Sequence, residues 1–413
     1  MLTKRAVITG MGAITPLGNS LSDFWTNSIK GVSGAKKIDS FDVSSFSTRF
    51  ACLVKDYDPS QWLDHKEIRT TDLFCQYALS ATDEAIKDSG LDLNALNPYD
   101  IGVIFGSGQG GMATFEKEVS AYSKRETKRY SPYFVPKIIT NMASGLVAIK
   151  YGIMGICYTT VSACATGNTS LMNALNYIRL GKAKVIISGG AEAPVTPASL
   201  GGFGSMRALS TQNEDPSTAS KPFDTNRNGF VMGEGAGALI VEEYEHAKKR
   251  GARIYAELAG ASMTADAYHM TATHPEGKGA VAAMQAALLD AGIKSEAVDY
   301  INAHATATAL GDLSEARAIY HVFRSNKKAV INATKSMTGH LLGATASIEA
   351  ILCILAINHG IVPPTINTKN IDPKLPKGLK IITKHSLEKQ INVAVSNAFG
   401  FGGHNSTVLF KRM

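Results

Sequence analysis

Three residues of this sequence have the type and the setting to do chemistry together. Cys164 stands in Ser162-Ala-Cys-Ala-Thr-Gly-Asn168, after an apolar β-rich run and ahead of a helix-period segment of small residues. A thiol at a helix N-terminus feels the positive end of the dipole, so a depressed pKa and a raised thiolate fraction are expected. Its small neighbours leave room for a bulky reactant. His304 lies in Asn302-Ala-His-Ala-Thr306-Ala-Thr308, and His340 in Lys335-Ser-Met-Thr-Gly-His-Leu-Leu-Gly343, each where a strand gives way to a loop. A candidate nucleophile with two such imidazoles points to acyl transfer. The histidine spacings match no ligand pattern, so no metal is expected.

The elements that must position these residues are visible as periodicity. Apolar β-rich runs alternate with helix-period segments almost throughout, which predicts α/β layers with buried, partly parallel strands. Strands are expected at 6–9, 101–105, 157–162, 185–189, 236–242, 254–261, 300–303, 329–333, 392–396 and 406–410. Helices are expected at 73–89, 138–151, 169–180, 279–291, 314–323 and 347–358. The basic segment His246–Arg253 offers the best half-boundary, dividing the chain into residues 1–250 and 251–413. Thr159–Gly167 and Asn332–His340 each read as a strand and then a small-residue turn with Thr-Gly, the trace that two equivalent halves would leave.

Composition excludes other classes. The 413 residues are 45% apolar and 19% charged, too apolar for a long disordered tail. Lys plus Arg outnumber Asp plus Glu by 42 to 35, a mild excess with no basic block that would favour nucleic acid. Met1–Gly10 runs straight into a strand-like segment, so no secretory signal is expected. Leu341–Asn358 is greasy but carries Glu349, and reads as a buried core helix rather than a membrane span. Five widely spaced cysteines argue for a reducing cytoplasm and against a disulfide framework. Gly106–Gly111 follows a strand but lacks the dinucleotide fingerprint, and there is no phosphate loop. The glycine turn Phe399-Gly-Phe401-Gly-Gly403 could aim backbone N–H groups at an oxyanion.

Taken together, these motifs resemble a β-ketoacyl-[acyl-carrier-protein] synthase of the type II elongating kind. The resemblance runs through Val7–Gly18, Ser162–Gly167, Pro222–Ala236, Ala267–Thr271, Asn302–His304, Lys335–His340 and Phe399–Gly403, essentially the whole chain. It implies a thiolase-like five-layer α-β-α-β-α fold built from two similar halves, a homodimer, and an acyl carrier protein as partner, without cofactor, metal, nucleic acid or membrane. It also implies roles. Cys164 would accept the acyl chain, and His304 and His340 would stabilise the enolate formed from a malonyl thioester on CO2 loss. The backbone N–H groups of Cys164 and Phe401 would form the oxyanion hole. Lys335 would order the site with Glu315 as ion-pair partner, and Thr306 and Thr308 would support it. Gln109, Phe203 and Phe134 would shape the acyl pocket. Lys128, Arg129 and Arg207, with Lys66 and Arg69, would dock the acidic carrier.

Ala305, Ala307 and His404 depart from common family residues, and Gln109 replaces an aliphatic residue, which leaves chain length and a specialised polyene or polyketide pathway open. A thiolase would need a second reactive cysteine near the last glycine turn, and a type III synthase would replace one histidine with Asn. A chain-length partner subunit would lack the cysteine. A cysteine hydrolase would need neither Lys335 nor a second histidine.

Overall fold

The computed structural model describes residues 4–413. Its frame is one ten-stranded mixed sheet. In chain order the strands are β1 (Ala6–Ile14), β2 (Ile101–Gly106), β3 (Cys157–Tyr158), β4 (Val185–Glu192), β5 (Gly235–Glu243), β6 (Ala256–Ala265), β7 (Tyr300–Asn302), β8 (Val330–Asn332), β9 (Val393–Gly400) and β10 (His404–Lys411). Across the sheet they run β8-β7-β9-β10-β6-β1-β5-β4-β2-β3. From each outer edge inward the pattern is the same: three parallel strands, then two antiparallel ones. The two five-stranded halves join in the sheet at Val7↔Glu257 and Ile8↔Ala256.

Six helices cover this frame: α1 (Leu73–Ser89), α2 (Met142–Tyr151), α3 (Thr166–Arg179), α4 (Lys278–Ala291), α5 (Ala309–Phe323) and α6 (Thr345–His359). α1 packs on β1 and β5, and α2 on β2, outside the first half. α4 packs on β6 and β10, and α5 on α4, outside the second. α3 and α6 touch each other and strands of both halves, so they form the central layer of an α-β-α-β-α stack. That position explains the sequence of α6. A helix walled in on all sides must be apolar all round, and every residue of α6 from Thr345 to Ile357 is buried. Leu342–His359 is long and apolar enough to cross a membrane, but 89% of it lies inside the protein. β1 is likewise buried along its whole length, because helices or strands cover both faces.

Small residues let α3 and α6 approach closely. A Cβ placed on Gly167, in the first turn of α3, would sit 2.5 Å from the backbone nitrogen of Ser347 in the first turn of α6. The starts of the two helices are therefore held almost in backbone contact.

The structure corrects the sequence reading in three places. The strand expected at 157–162 stops at Tyr158, because the chain must turn sharply before α3, with Ala163 in the left-handed region at φ 49°. The helix expected at 138–151 is two, Phe134–Ile138 and α2, with Ile139 extended between them. The structural counterpart of Cys164 in the second half also lies later than the Thr-Gly comparison placed it. Leu342, at φ 46°, precedes Gly343, Ala344 and the helix at Thr345, just as Ala163 precedes Cys164, Ala165 and the helix at Thr166.

Candidate active site

The turn that opens the central layer's first helix carries the candidate nucleophile. Cys164 sits in the short turn Ala163–Ala165 that leads into α3. Three local bonds hold this turn: the Ser162 N–H donates to Thr166 Oγ1 at 3.0 Å, Thr166 Oγ1 donates to the Ala163 carbonyl at 2.7 Å, and the Ser162 and Thr169 hydroxyls pair at 2.8 Å. The end of β9 presses against it from the second half. A Cβ on Gly400 would lie 2.9 Å from the Cys164 nitrogen and 2.8 Å from the Ser162 carbonyl, so only glycine lets β9 lay Phe401 beside the thiol.

His340 reaches the same point from the turn before α6. Its N–H donates to the Val231 carbonyl at 2.7 Å, and its carbonyl accepts from the Gly233 N–H at 2.9 Å, which fixes the backbone. Nε2 lies 2.9 Å from Cys164 Sγ, and Nδ1 lies 3.0 Å from Thr345 Oγ1. His304 follows β7, its ring edge-on to that of His340 with centroids 5.5 Å apart. Two carboxylates of α5 hold its loop. Glu315 accepts the N–H groups of His304 and Ala305 at 2.8 and 2.7 Å, and Asp312 accepts that of Ala307 at 3.0 Å. Ala307 takes a left-handed φ of 65° there.

Lys335 lies beneath these groups, 1% exposed. Its Nζ donates to Glu349 Oε1 at 2.6 Å, and Glu349 is equally buried. This corrects the expected pairing with Glu315, whose oxygens are taken up by the His304 loop. Glu349 was legible as the one acid in an apolar helix, since an acid is almost never fully buried unless paired. Burial pushes the Glu349 carboxyl up to about 7, against the pull of the Lys335 ammonium.

Burial also decides the charge of Cys164 and the two histidines. It holds both imidazoles well below their ordinary range, with the Lys335 charge adding to the effect, so both are neutral at neutral pH. The Cys164 thiol is pushed up to about 11, because burial outweighs Lys335 and the N–H groups of Phe401 and Cys164 itself. The expectation of a depressed thiol pKa is therefore overturned. Burial is the largest influence on the thiol, which therefore needs a proton acceptor. His340 Nε2 is placed to be one.

The donor atoms of Cys164, His304 and His340 all lie within 4.8 Å of one another, a grouping the sequence spacing did not show. On distance alone they could ligate a cation. The Lys335 ammonium opposes a cation there, and the same field favours developing negative charge.

These residues face a cavity of about 510 Å³. Gln109, Phe203, Thr306, Thr308, Phe401 and Arg207 are in its wall, with the two threonine hydroxyls 3.1 Å apart. Gln109 is not left with an idle amide: its Oε1 accepts from Ser199 Oγ at 2.9 Å. Phe134 does not reach the wall and instead stacks on Tyr130 and Phe115, at 4.9 and 6.2 Å. Lys66, Arg69, Lys128 and Arg129 are exposed but outside the wall, so Arg207 is the one basic candidate at the cavity. Thr345, which the sequence reading passed over, orients His340.

Comparison with known proteins agrees with this arrangement. Residues 3–247 match the family described as "Beta-ketoacyl synthase, N-terminal domain", and residues 255–369 match "Beta-ketoacyl synthase, C-terminal domain". The chain is 47% identical over 410 residues to the 3-oxoacyl-[acyl-carrier-protein] synthase 2 of Synechocystis sp., covering 99% of this chain and 98% of the relative. It is 46% identical over 414 residues to the protein of the same name from Coxiella burnetii, covering all of both. Among solved structures, the ishigamide ketosynthase/chain length factor aligns with a TM-score of 0.93 at 32% identity over the full length of both chains. A type II polyketide synthase acyl-carrier protein in complex with its ketosynthase, bound to the hexaketide, aligns at 0.91 and 33%, also over the full length of both.

Proposed function

The chain belongs to the β-ketoacyl synthase family, and on that premise we propose how its residues divide the reaction. The reaction is the decarboxylative Claisen condensation of fatty acid elongation. A malonyl-acyl carrier protein and a Cys-bound acyl chain give β-ketoacyl-acyl carrier protein and CO2. The observation that carries the assignment of roles is the 2.9 Å contact between Cys164 Sγ and His340 Nε2, with His304 beside them.

In the first half-reaction, Sγ attacks the acyl thioester and its proton passes to Nε2. The departing carrier thiolate takes that proton back, which leaves His340 neutral and Cys164 acylated. The negative oxygen of the tetrahedral intermediate lies against the N–H groups of Cys164 and Phe401. In the second, loss of CO2 from the malonyl thioester leaves an enolate. Neutral His304 offers one N–H to its oxygen, and His340 adds a second once its proton has shifted from Nδ1 to Nε2, the Thr345 hydroxyl then donating to the freed Nδ1 instead of accepting from it. The enolate carbon then attacks the acyl carbonyl, and the Cys164 thiolate leaves. Preorganised donors act most strongly in a dry site, one being typically worth about 3–4 kcal/mol. Lys335 supplies a fixed positive field and Glu349 keeps that charge tolerable in the core. The relatives named 3-oxoacyl-[acyl-carrier-protein] synthase 2 are 43–47% identical, whereas the ketosynthases with chain length factors are 26–32% identical, which favours elongation over a specialised polyketide pathway.

His304→Ala and His340→Ala are expected to lower malonyl decarboxylation by roughly 100-fold or more, while His304→Ala leaves self-acylation of Cys164 the less affected step. Decarboxylation at the parent rate in either variant, followed by CO2 release, would remove that residue from the role given.

We also propose that the carrier docks at the cavity mouth through Arg207, with Lys128 and Arg129 extending the basic surface. Arg207 and Met206 are exposed in the cavity wall. Charge reversal at Arg207 is expected to raise KM for carrier-linked substrate and flatten its salt dependence, and an unchanged KM would exclude the patch. A homodimer is supported by the open edge at β3, flanked by exposed Ile149, Met154 and Val161. A bare sheet edge beside apolar residues needs a cover. Light scattering is expected to give twice the chain mass; a monomer at micromolar concentration would count against it.

A further inference from the structure

Glu192 ends β4 with no exposed surface, and four donors converge on its carboxylate. Oε1 accepts from Ser107 Oγ and from the Gln109 N–H, both at 2.9 Å. Oε2 accepts from the Gly108 N–H at 2.7 Å and the Gly343 N–H at 2.9 Å. A carboxylate offers about four lone-pair sites, so this one is saturated. No Lys, Arg or His pairs with it among the described residues. Nothing in the reaction above uses it.

The four donors come from two separate segments. Ser107, Gly108 and Gln109 follow β2 in the first half, and Gly108 and Gln109 are part of the cavity wall. Gly343 belongs to the second half, three residues beyond His340 and beside Leu342, which also faces the cavity. The two segments touch. A Cβ on Gly343 would lie 2.6 Å from the Gly108 nitrogen and 2.7 Å from Glu192 Oε2. Gln109 passes the link on through Ser199 to the helix Pro197–Ser205, which brings Phe203 to the wall.

We infer that Glu192 is a positioning residue that fastens the Gly108–Gln109 wall of the acyl cavity to the turn after His340, so that it sets which acyl chains reach Cys164. This rests on the reading of the cavity as the acyl site. A chain long enough to fill the cavity must press on that wall, whereas a short one need not. Glu192→Gln keeps the side chain's size but turns an NH2 group toward two N–H or O–H donors, whichever way the amide faces. Buried donors cannot be left facing another donor without the loop giving way.

The test measures the rate of Cys164 acylation, by intact-protein mass, with a short (about six-carbon) and a long (about sixteen-carbon) acyl carrier thioester. Glu192→Gln is expected to change the long-to-short rate ratio by about tenfold, equivalent to roughly 1.4 kcal/mol. A purely structural defect lowers the amount of active enzyme and leaves that ratio alone. Ser107→Ala removes one of the four bonds without adding a donor, and is expected to move the ratio the same way by a smaller factor. It carries the test if the Gln variant does not fold. A ratio within about twofold of the parent in the folded variants would overturn the proposal. Because the readout precedes malonyl addition, a parent that acylates but makes no β-ketoacyl product counts against the condensation, not against Glu192.

Discussion

The close approach of α3 and α6 is the constraint on which the site depends. Each helix begins with the same turn, entered through a left-handed residue, and the two starts are pressed together at Gly167 and Ser347. Cys164 lies in the turn that opens one helix, and His340 lies five residues before the start of the other. Each half contributes one central helix, so the contact between halves and the contact between thiol and imidazole are one geometric fact. The strands and outer helices bury the surfaces that hold this contact in place. That is why small residues such as Gly167, Ala346 and Ser347 stand where the helices meet.

Burial at this contact also sets the electrostatics. It keeps both imidazoles neutral and the resting thiol protonated, so the apo site carries little charge of its own near the reacting atoms. The fixed charge is one layer below, in the Lys335–Glu349 pair. Losing one partner of a fully buried pair typically costs about 3–5 kcal/mol, because the other charge is stranded. The pair therefore keeps a cation under the cavity where a lone lysine would be too costly. In the proposed division of roles, both half-reactions build negative charge on a thioester oxygen above that cation and against fixed N–H donors.

Much of this was legible in the sequence, and the misses have physical causes. Cys164, His304, His340 and Lys335 stood in distinctive small-residue motifs, and the structure gathers them around one cavity. The parallel strands were readable because covered strands are continuously apolar. The turn before α3 was not, because Ala163 and Leu342 hold left-handed conformations that sequence associates with glycine. Glu315 was the expected partner of Lys335, but packing aims Glu315 at the His304 loop and Glu349 at the ammonium. The thiol pKa was misjudged because a helix start is visible in sequence, whereas the depth of the cavity around it is not. Phe134, expected in the pocket, stacks on Tyr130 and Phe115 instead.

The central claim is that Cys164 alone carries the acyl chain and passes it to the malonyl-derived carbanion. Incubation with an acyl carrier, peptide mapping, and then addition of malonyl carrier tests it in one experiment. The account predicts a label on Cys164 and none on Cys157, although Cys157 is the more exposed thiol. Malonyl carrier should then discharge that label as β-ketoacyl carrier two carbons longer, with one CO2 per product. A label on another cysteine, or its release as free acid without need of malonyl carrier, would contradict the account.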